Sequence, residues 1–287
     1  MSEKKILVTG GSGYLGSYIR QYFNADDLSR RAGQDLSLLK DLSFIKNYDV
    51  IIHMAACVNK RADAAGQNFT VNVGGTIKLL EKLSEGQTFI FCSTKDVYGS
   101  HIDKYKTVPE TCSTDFIGQN AYEWSKLIAE KYAEYYCNNA KARLGIFRLS
   151  TVYAPAAASQ GNPGGFVSFF TRTIAKGEQL QLKMKGEQIR DLLHVNDLAE
   201  AFKLFINSNQ QSSLYNIGGG LKNSTTLYQL TQTIAKLVKK SANLVLSDEA
   251  VKEQIHYVTD ISKLSSELGW QPKIDIESGL RTLLENV

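Results

Sequence analysis

Short apolar runs alternate with longer amphipathic stretches along the first half of the chain. The strand-like segments that contain these runs are five or six residues long, as buried strands are, and lie at residues 5–9, 49–54, 88–92 and 144–149. Apolar residues recur at helical spacing in the stretches 15–23, 69–83 and 122–136. Because buried strands alternate with amphipathic helices, the pattern predicts a parallel sheet that is covered on both faces.

The pattern becomes irregular after residue 152. A stretch without periodicity, "APAAASQGNPGG" at residues 154–165, predicts a long loop, and another strand-like run, "SLYNIGGG", lies at 213–220. We therefore predict an α/β fold, a Rossmann-type doubly wound parallel sheet with a smaller, discontinuous C-terminal substrate domain. The sheet domain is expected at residues 1–153, with a return at about 192–218, and the smaller region at 154–191 and 219–287.

Composition and charge narrow the class of protein. The chain has 287 residues, of which 43% are hydrophobic and 22% charged, enough for the core of one large or two modest domains. Its net charge is only +4 and its Lys and Arg residues are scattered, so we expect no nucleic-acid partner. The histidines lack the spacing of metal ligands, so we expect no metal site.

Cysteine usage and the first residues indicate the compartment. The cysteines lie at positions 57, 92, 112 and 137 without C-x-x-C spacing, so we interpret them as reduced thiols, with Cys57 and Cys92 as small buried hydrophobes. The first apolar run, "ILV", is too short for the core of a signal peptide, and no run of about 18 apolar residues follows. We therefore expect a cytoplasmic protein with no membrane partner.

A glycine-rich stretch lies between the first predicted strand and the first predicted helix. In "VTGGSGYLG", residues 8–16, Gly10, Gly13 and Gly16 have G-x-x-G-x-x-G spacing. Glycines let the backbone turn tightly and approach a pyrophosphate, and free N–H groups at a helix start bind anions. The alternative is a plain glycine-rich turn. We predict a dinucleotide site that includes Gly10, Gly13, Tyr14, Leu15 and Gly16.

Two further stretches carry side chains suited to chemistry. "STKDVYG" directly follows the run at 88–92, and ligands of open parallel sheets bind where strands end, so Ser93 and Thr94 are placed to hydrogen-bond a substrate. The alternative is ordinary loop capping. In "NAYEWSKLIAEKY", Tyr122 and Lys126 are four residues apart, hence on one face of a helix. Taken alone, this pair is more typical of a solvated helix face.

Eight motifs follow one another along nearly the whole chain: "GGSGYLG", "IIHMAA", "NVGGT", "CSTKDVYG", "YEWSK", "RDLLHVNDLAEA", "YNIGGG" and "LGWQP". With these motifs the chain resembles an extended short-chain dehydrogenase/reductase of the NAD(P)-dependent nucleotide-sugar epimerase/dehydratase kind. The resemblance implies that Tyr122 is the catalytic acid/base, that Lys126 assists it and binds the nicotinamide ribose, and that Thr94 orients a sugar hydroxyl or carbonyl. It further implies that the cofactor is lined by Met54, Ala55 and Ala56, and that Asn72 supports the active-site backbone.

Acid–base chemistry agrees with this resemblance. A free tyrosine, with a pKa of about 10, is a poor base at neutral pH. An ammonium one helical turn away, together with the positive nicotinamide of an oxidised cofactor, favours the phenolate. We therefore expect Lys126 to lower the pKa of Tyr122.

The choice between NADP and NAD depends on residues 28–37, "LSRRAGQDLS". We find no clean second strand that ends in an acidic residue there. A carboxylate would bind the ribose hydroxyls, whereas the guanidinium groups of Arg30 and Arg31 suit a 2′-phosphate. We therefore expect NADP rather than NAD, with Asp35 and Leu36 resembling the pair that flanks adenine in the family. The alternative is that both arginines are solvated loop residues.

The expected substrate side departs from the family pattern at two places. The resemblance puts Arg190, in "GEQIRDLLHV", at a nucleotide diphosphate, the alternative being an ion pair with Asp191 at a domain interface. Thr151 stands where the family has an asparagine that contacts the diphosphate. Residues 94–96 read Thr-Lys-Asp instead of the Thr-Asp-Glu of the dehydratase branch. The general acid that expels water is therefore missing, and dehydration is disfavoured.

The leading hypothesis is an enzyme that reduces the 4-keto group of a nucleotide-activated sugar with NADP or NAD, using Tyr122 as acid/base. The alternatives are a nucleotide-sugar 4-epimerase, a reductase of a non-nucleotide carbonyl, and a catalytically idle cofactor-binding regulator. Intact Thr94, Tyr122 and Lys126 argue against the idle regulator. We also expect a homodimer in which residues 69–83 and 122–136 pack against their symmetry mates, since the second helix is rich in aromatic side chains.

Overall fold

The structure is a computed structural model that describes residues 4–155, 164–251 and 254–285. Most of the loop predicted at 154–165 therefore lies outside the described residues. In the described part, the strands are β1 (Ile6–Thr9), β2 (Asp26–Leu28), β3 (Val50–His53), β4 (Thr88–Thr94), β5 (Arg143–Leu149), β6 (Thr151–Tyr153), β7 (Leu180–Leu182), β8 (Ile189–His194), β9 (Ser212–Ile217), β10 (Ser224–Thr226), β11 (Leu244–Leu246) and β12 (His256–Tyr257).

The helices alternate with these strands. In the same described residues they are α1 (Tyr14–Tyr22), α2 (Ala65–Asn68), α3 (Thr76–Leu80), α4 (Ala121–Ala140), α5 (Phe166–Lys176), α6 (Val195–Asn207), α7 (Leu227–Val238), α8 (Ser262–Leu268) and α9 (Ile276–Leu284). None of them is both long and apolar enough to cross a bilayer.

The large sheet has six strands in the order β2-β1-β3-β4-β5-β9, and every neighbouring pair is parallel. The strand order reverses between β1 and β3, and ligands of such sheets bind at the carboxyl ends of the strands beside this reversal. The predicted fold class, a Rossmann-type parallel sheet with a smaller second region, is confirmed.

Helices cover both faces of this sheet. On one face, Phe202 of α6 packs edge-on against Phe147 of β5. On the other face, Ala129 of α4 lies in the same apolar cluster as Phe89 of β4. Every residue of β3 is buried, because a parallel strand between two helical layers has no solvent face. The continuous apolar runs in the sequence have this origin.

A second set of strands carries the other wall of the cleft. β8 pairs with β10 in antiparallel fashion and with β6 and β12 in parallel fashion, while β7 pairs with β11. β9 returns to the large sheet beside β5, and α6, which precedes it, packs on α1.

Two elements differ from the expectation. A second strand does exist, but β2 is three residues long and begins with two aspartates, so it lacks an apolar run. The helix expected at 69–83 is interrupted by a π-helical segment, Phe69–Gly75, between α2 and α3. Apolar spacing is nearly the same for a π-turn as for an α-turn over this short range, so the pattern did not distinguish them.

Candidate active site

A continuous cleft of roughly 1860 Å³ runs along the carboxyl ends of the parallel strands, from the glycine-rich turn past Tyr122 to Arg190. Its volume exceeds the 300–1,000 Å³ that is typical of a site for one small ligand. The predicted site residues that line it are Gly10, Gly13, Tyr14, Leu15, Gly16, Arg30, Arg31, Asp35, Leu36, Met54, Ala55, Ala56, Ser93, Thr94, Tyr122, Lys126, Thr151 and Arg190. Asn72 lies behind the wall.

The glycine-rich turn is packed too closely for side chains. Gly10 has φ +72°, and a Cβ there would lie 2.8 Å from the backbone nitrogen of Ala55. A Cβ at Gly16 would lie 2.1 Å from the carbonyl oxygen of Gly10. α1 starts after Gly13 without a side-chain cap, so its first N–H groups are available to an anion. This cradle fits the pyrophosphate of a dinucleotide.

The residue that follows β2, where a carboxylate would bind the ribose hydroxyls, carries a hydroxyl group instead. Ser29 follows β2, and its hydroxyl donates to the Asp27 carboxylate (2.8 Å) and is also hydrogen-bonded to the Ser12 hydroxyl (2.7 Å). A guanidinium nitrogen of Arg31 donates to the Ser12 carbonyl at 3.2 Å, and both Arg30 and Arg31 are exposed. The edge of the cleft is therefore polar and basic here.

A capping box fixes the start of α4. The side-chain oxygen of Asn120 accepts from the backbone N–H of Tyr122 (3.0 Å) and Glu123 (3.2 Å), while Glu123 accepts from the Asn120 N–H at 2.9 Å. Tyr122 is thereby held in the first turn, and Lys126 follows one turn later. The helix presents both side chains to the cleft, beside Thr94 at the end of β4.

Lys126 is only 2% exposed, and its ammonium has no hydrogen-bond partner among the described residues. Burial lowers the pKa of Lys126 to about 8. A buried cation that lines a cleft without a protein acceptor is suited to a ligand that brings acceptors, such as the hydroxyls of a ribose. Together with the glycine cradle, this observation fits a nicotinamide dinucleotide.

The environment of Tyr122 differs from the expectation that Lys126 would lower its pKa. Burial and then the nearby Asp96 carboxylate raise the pKa of Tyr122 well above its ordinary value, and a hydrogen bond with Thr94 opposes them only in part. Since burial disfavours a charged phenolate, the surrounding protein keeps this phenol protonated.

Four charged residues close to Tyr122 were not predicted as a group. Lys60 contacts Asp96 (2.7 Å) and Glu123 (3.6 Å), and Lys95 contacts Asp96 (2.6 Å). They come from the segments after β3 and β4 and from the first turn of α4. The sequence did show that residues 94–96 read Thr-Lys-Asp instead of the family's Thr-Asp-Glu. It did not show which residues these side chains contact, because those residues lie 36 or more positions away in the chain.

Two predicted residues, Ser93 and Asn72, have their polar side chains engaged by the protein. The Ser93 hydroxyl donates to Glu130, which is also paired with Arg148 at 2.6 Å. Asn72 bonds both the N–H and the carbonyl of Cys57 (2.7 and 2.9 Å). Asn72 thus holds the backbone behind the cleft. Cys57, expected to be buried, is half-buried and lines the cleft.

Arg190 lies in the cleft wall, where its guanidinium donates to the carbonyls of Ile189 (2.8 Å) and Gln254 (2.5 Å). Asp191 instead accepts the backbone N–H groups of Gly220 and Thr259, each at 3.1 Å. An ion pair between Arg190 and Asp191, the alternative considered from the sequence, does not occur within the described residues.

Comparison with known proteins agrees with this geometry. The profile of the NAD dependent epimerase/dehydratase family matches residues 6–218. The chain belongs to this family. It is an enzyme fold in which the glycine turn and the Tyr122–Lys126 pair occupy one cleft.

This family member aligns with known relatives over nearly its whole length. It is 26% identical to the CDP-paratose 2-epimerase of Salmonella typhi, an alignment that covers 98% of both chains. The UDP-glucuronic acid 4-epimerase of Bacillus cereus, solved with UDP-glucuronic acid and NAD, has a TM-score of 0.83 at 24% identity over 98% of each chain. RMD of Pseudomonas aeruginosa, solved with NADPH, has a TM-score of 0.82 at 22% identity over 99% of this chain and 98% of that one. Both structures share its fold.

Proposed function

We propose that this protein reduces the 4-keto group of a nucleotide-activated sugar with NADPH, and that Tyr122 donates the proton. One observation carries the proposal: a single cleft joins the uncapped glycine turn, the protonated phenol of Tyr122 and the ammonium of Lys126, which has no hydrogen-bond partner in the part of the chain that the structure describes. The family relatives, which act on nucleotide sugars by name, support the class of substrate.

The chemistry assigns each group one task. When bound, the reduced nicotinamide supplies a hydride. Tyr122 transfers its phenolic proton to the carbonyl oxygen, so the C=O group becomes CH–OH. Thr94 donates a hydrogen bond to the same oxygen and orients it, and Lys126 holds the ribose hydroxyls. Oxidation of the sugar would need the phenolate instead, which burial and Asp96 disfavour.

The adenosine end of the cleft supports reduction over epimerisation. An epimerase retains its cofactor through two opposite hydride transfers, whereas a reductase exchanges it at each turnover. Residues 30–34 are all exposed, so the expected adenosine site is open on this side. The second candidate, a 4-epimerase, is favoured by the names of several relatives. Near-stoichiometric NAD(P) retained after extensive dialysis, with no net NADPH oxidation, would decide for the epimerase.

We further propose NADP rather than NAD as the cofactor. Ser29 replaces a carboxylate at the end of β2, and Arg30 and Arg31 stand beside it. A carboxylate would repel a 2′-phosphate, while hydroxyl and guanidinium donors bind it.

The nucleotide part of the substrate is proposed to lie along Thr151 and Arg190. Both line the same cleft as Tyr122. A thermal-shift panel of sugar nucleotides, each tested with NADPH, examines this directly, because a ligand at 100 times its Kd stabilises the protein by about 2.7 kcal/mol. Stabilisation by lactones or aldehydes but by no nucleotide would favour a non-nucleotide carbonyl. Stabilisation by NADPH alone would favour the idle regulator.

The proposed assembly is a cytoplasmic homodimer. On the predicted contact helices, Phe69 is 58% and Tyr135 61% exposed, which is a large apolar area for a lone subunit. All four cysteines are free thiols, as in a reducing compartment. Light scattering at micromolar concentration tests the dimer, with Tyr135→Asp as the variant expected to weaken it and Phe116→Asp, outside these helices, as the control.

A further inference from the structure

The charged residues beside Tyr122 form one connected cluster, which reaches the phenol through Lys60. The Lys60 ammonium lies 5.9 Å from the centroid of the Tyr122 ring. The same ammonium contacts Asp96 at 2.7 Å and Glu123 at 3.6 Å. Lys95 approaches Asp96 from the other side, at 2.6 Å. One cation therefore lies near both the Tyr122 ring and two carboxylates.

The geometry keeps Lys60 and Asp96, the pair at the centre of this cluster, ionised. Although burial raises the pKa of Asp96, Lys95 and Lys60 outweigh it and hold that pKa well below the usual range. Burial likewise lowers the pKa of Lys60, but Asp96 and Glu123 outweigh it and the pKa is raised. At neutral pH, the carboxylate and the ammonium beside the phenol are both charged.

The contacts of Lys60 fix its ammonium beside Tyr122, although the side chain is partly exposed. Its side chain is 43% exposed, yet it bridges the end of β4 to the first turn of α4, and it lines the cleft. Arg61, the next residue, is 77% exposed, pairs with Asp63 at 3.0 Å, and does not line the cleft. Two neighbouring cations in one segment therefore have different surroundings.

We propose that Lys60 is a positioning residue for proton transfer, whose ammonium neutralises the carboxylates that flank the phenol of Tyr122. The inference rests on the proposed role of Tyr122 as proton donor. Without Lys60, Glu123 would lose its cation and Asp96 would keep only Lys95, so the two carboxylates would disfavour the ionised form of the phenol more strongly. Cys57 after β3 also acts on Tyr122, and Lys126 on α4 and Lys95 after β4 line the same cleft; the loss of Lys60 leaves all three in place.

The sign of the effect follows from charge. Oxidation of the sugar alcohol with NADP, the reverse reaction, needs the phenolate, so its kcat/KM rises as the pH rises toward the pKa of Tyr122, which the positive nicotinamide lowers. Loss of a cation raises that pKa and moves this rise to higher pH, whereas loss of an anion moves it to lower pH. A charge about 6 Å away in a partly exposed site is worth about one pH unit.

The test is the pH profile of kcat/KM for NADP-dependent oxidation of the reduced sugar nucleotide in Lys60→Met, Asp96→Asn and the double variant. We expect Lys60→Met to move the rise of kcat/KM up by about one pH unit, Asp96→Asn to move it down, and the double variant to lie near the parent. Lys60→Arg should restore the parental profile. Arg61→Met removes the same charge from the same segment and should leave the profile unmoved.

A readout without turnover accompanies the profile. With saturating NADP, the tyrosinate absorbance of each protein minus that of its Tyr122→Phe counterpart reports the ionisation of Tyr122, and it should move in the same direction. A Lys60→Met protein with lowered kcat/KM but an unmoved profile and titration would overturn the proposal, because a merely structural role predicts that result. If Lys60→Met folds poorly, Lys60→Gln carries the same test. Turnover retained by Tyr122→Phe would instead reject the proposed function. The Lys60 variants test only the role of Lys60, so the two failures are distinguishable.

Discussion

The Lys126 ammonium lies 4.1 Å from the centroid of the Phe91 ring, with β4 and α4 packed around it. The ring face attracts the cation but supplies no acceptor for its N–H groups. This buried charge therefore costs the protein stability, and a ligand with acceptors would offset that cost. Two predictions follow from this relationship.

The first concerns stability. Lys126→Met should raise the free energy of unfolding at pH 7 by about 1–3 kcal/mol, because it replaces a buried, unpaired charge by an apolar chain of similar length. The pKa of Lys126 is about 8 in the folded protein and ordinarily 10.5, so the unfolded state binds more protons between these values. The penalty is full below pH 8 and declines above it. Urea unfolding at pH 7 and pH 9.5 checks both statements, and a destabilised Lys126→Met protein would contradict them.

The second concerns cofactor affinity. Since binding is proposed to use the charged ammonium of Lys126, affinity for NADPH should weaken as the pH rises through about 8. Fluorescence titration of NADPH from pH 6.5 to 9.5 measures this. The Lys126→Met protein should bind weakly at every pH without this transition. A transition that persists in the variant would belong to another group.

The glycine turn offers a matched pair of substitutions. Gly16→Ala places a Cβ 2.1 Å from a backbone oxygen and should cost about 2–3 kcal/mol of stability as well as cofactor affinity. Gly66→Ala meets no atom within 4 Å on the exposed helix α2, and it should stabilise the protein by up to about 1 kcal/mol. Thermal unfolding with and without NADPH compares the two. Equal effects would show that the turn is not tightly packed.

Cofactor selectivity is testable at the end of β2. The double variant Arg30→Ala, Arg31→Ala should lose about tenfold or more in NADPH affinity, because two guanidinium groups leave the 2′-phosphate. Affinity for NADH, which lacks this phosphate, should change by less than about threefold. The parental preference should also weaken with added salt, since both arginines are exposed. Equal NADPH and NADH affinities in the parent protein would refute the proposed preference for NADP.

Local patterns were sufficient for the fold and for locating the glycine turn and the Tyr122–Lys126 pair that line one cleft. Gly10, Gly13 and Gly16 and the Tyr122–Lys126 pair are each read from a few adjacent positions, and the periodicities of strand and helix place them at the ends of parallel strands. β2 was missed because a three-residue strand with two aspartates has no periodicity.

Contacts between distant segments were not predictable. Lys60 and Asp96 are 36 positions apart, and Lys95 and Gln254, which bond at 2.5 Å, are 159 apart. Ser93 illustrates the same limit, since its position after a strand indicates a ligand contact but its hydroxyl is engaged by Glu130. Such pairings depend on the packed tertiary structure, so the burial and the Asp96 carboxylate that raise the pKa of Tyr122 were not part of the expectation.

The central claim is that Tyr122 transfers the proton in a reduction that consumes NADPH. The most direct measurement compares the parent with Tyr122→Phe on a panel of 4-keto sugar nucleotides, following NADPH oxidation and, separately, NADPH binding. We predict net NADPH oxidation by the parent on at least one sugar, a loss of about 10²-fold or more in kcat for Tyr122→Phe, and NADPH affinity within a few-fold of the parent. A Tyr122→Phe enzyme with near-parental kcat would contradict the claim.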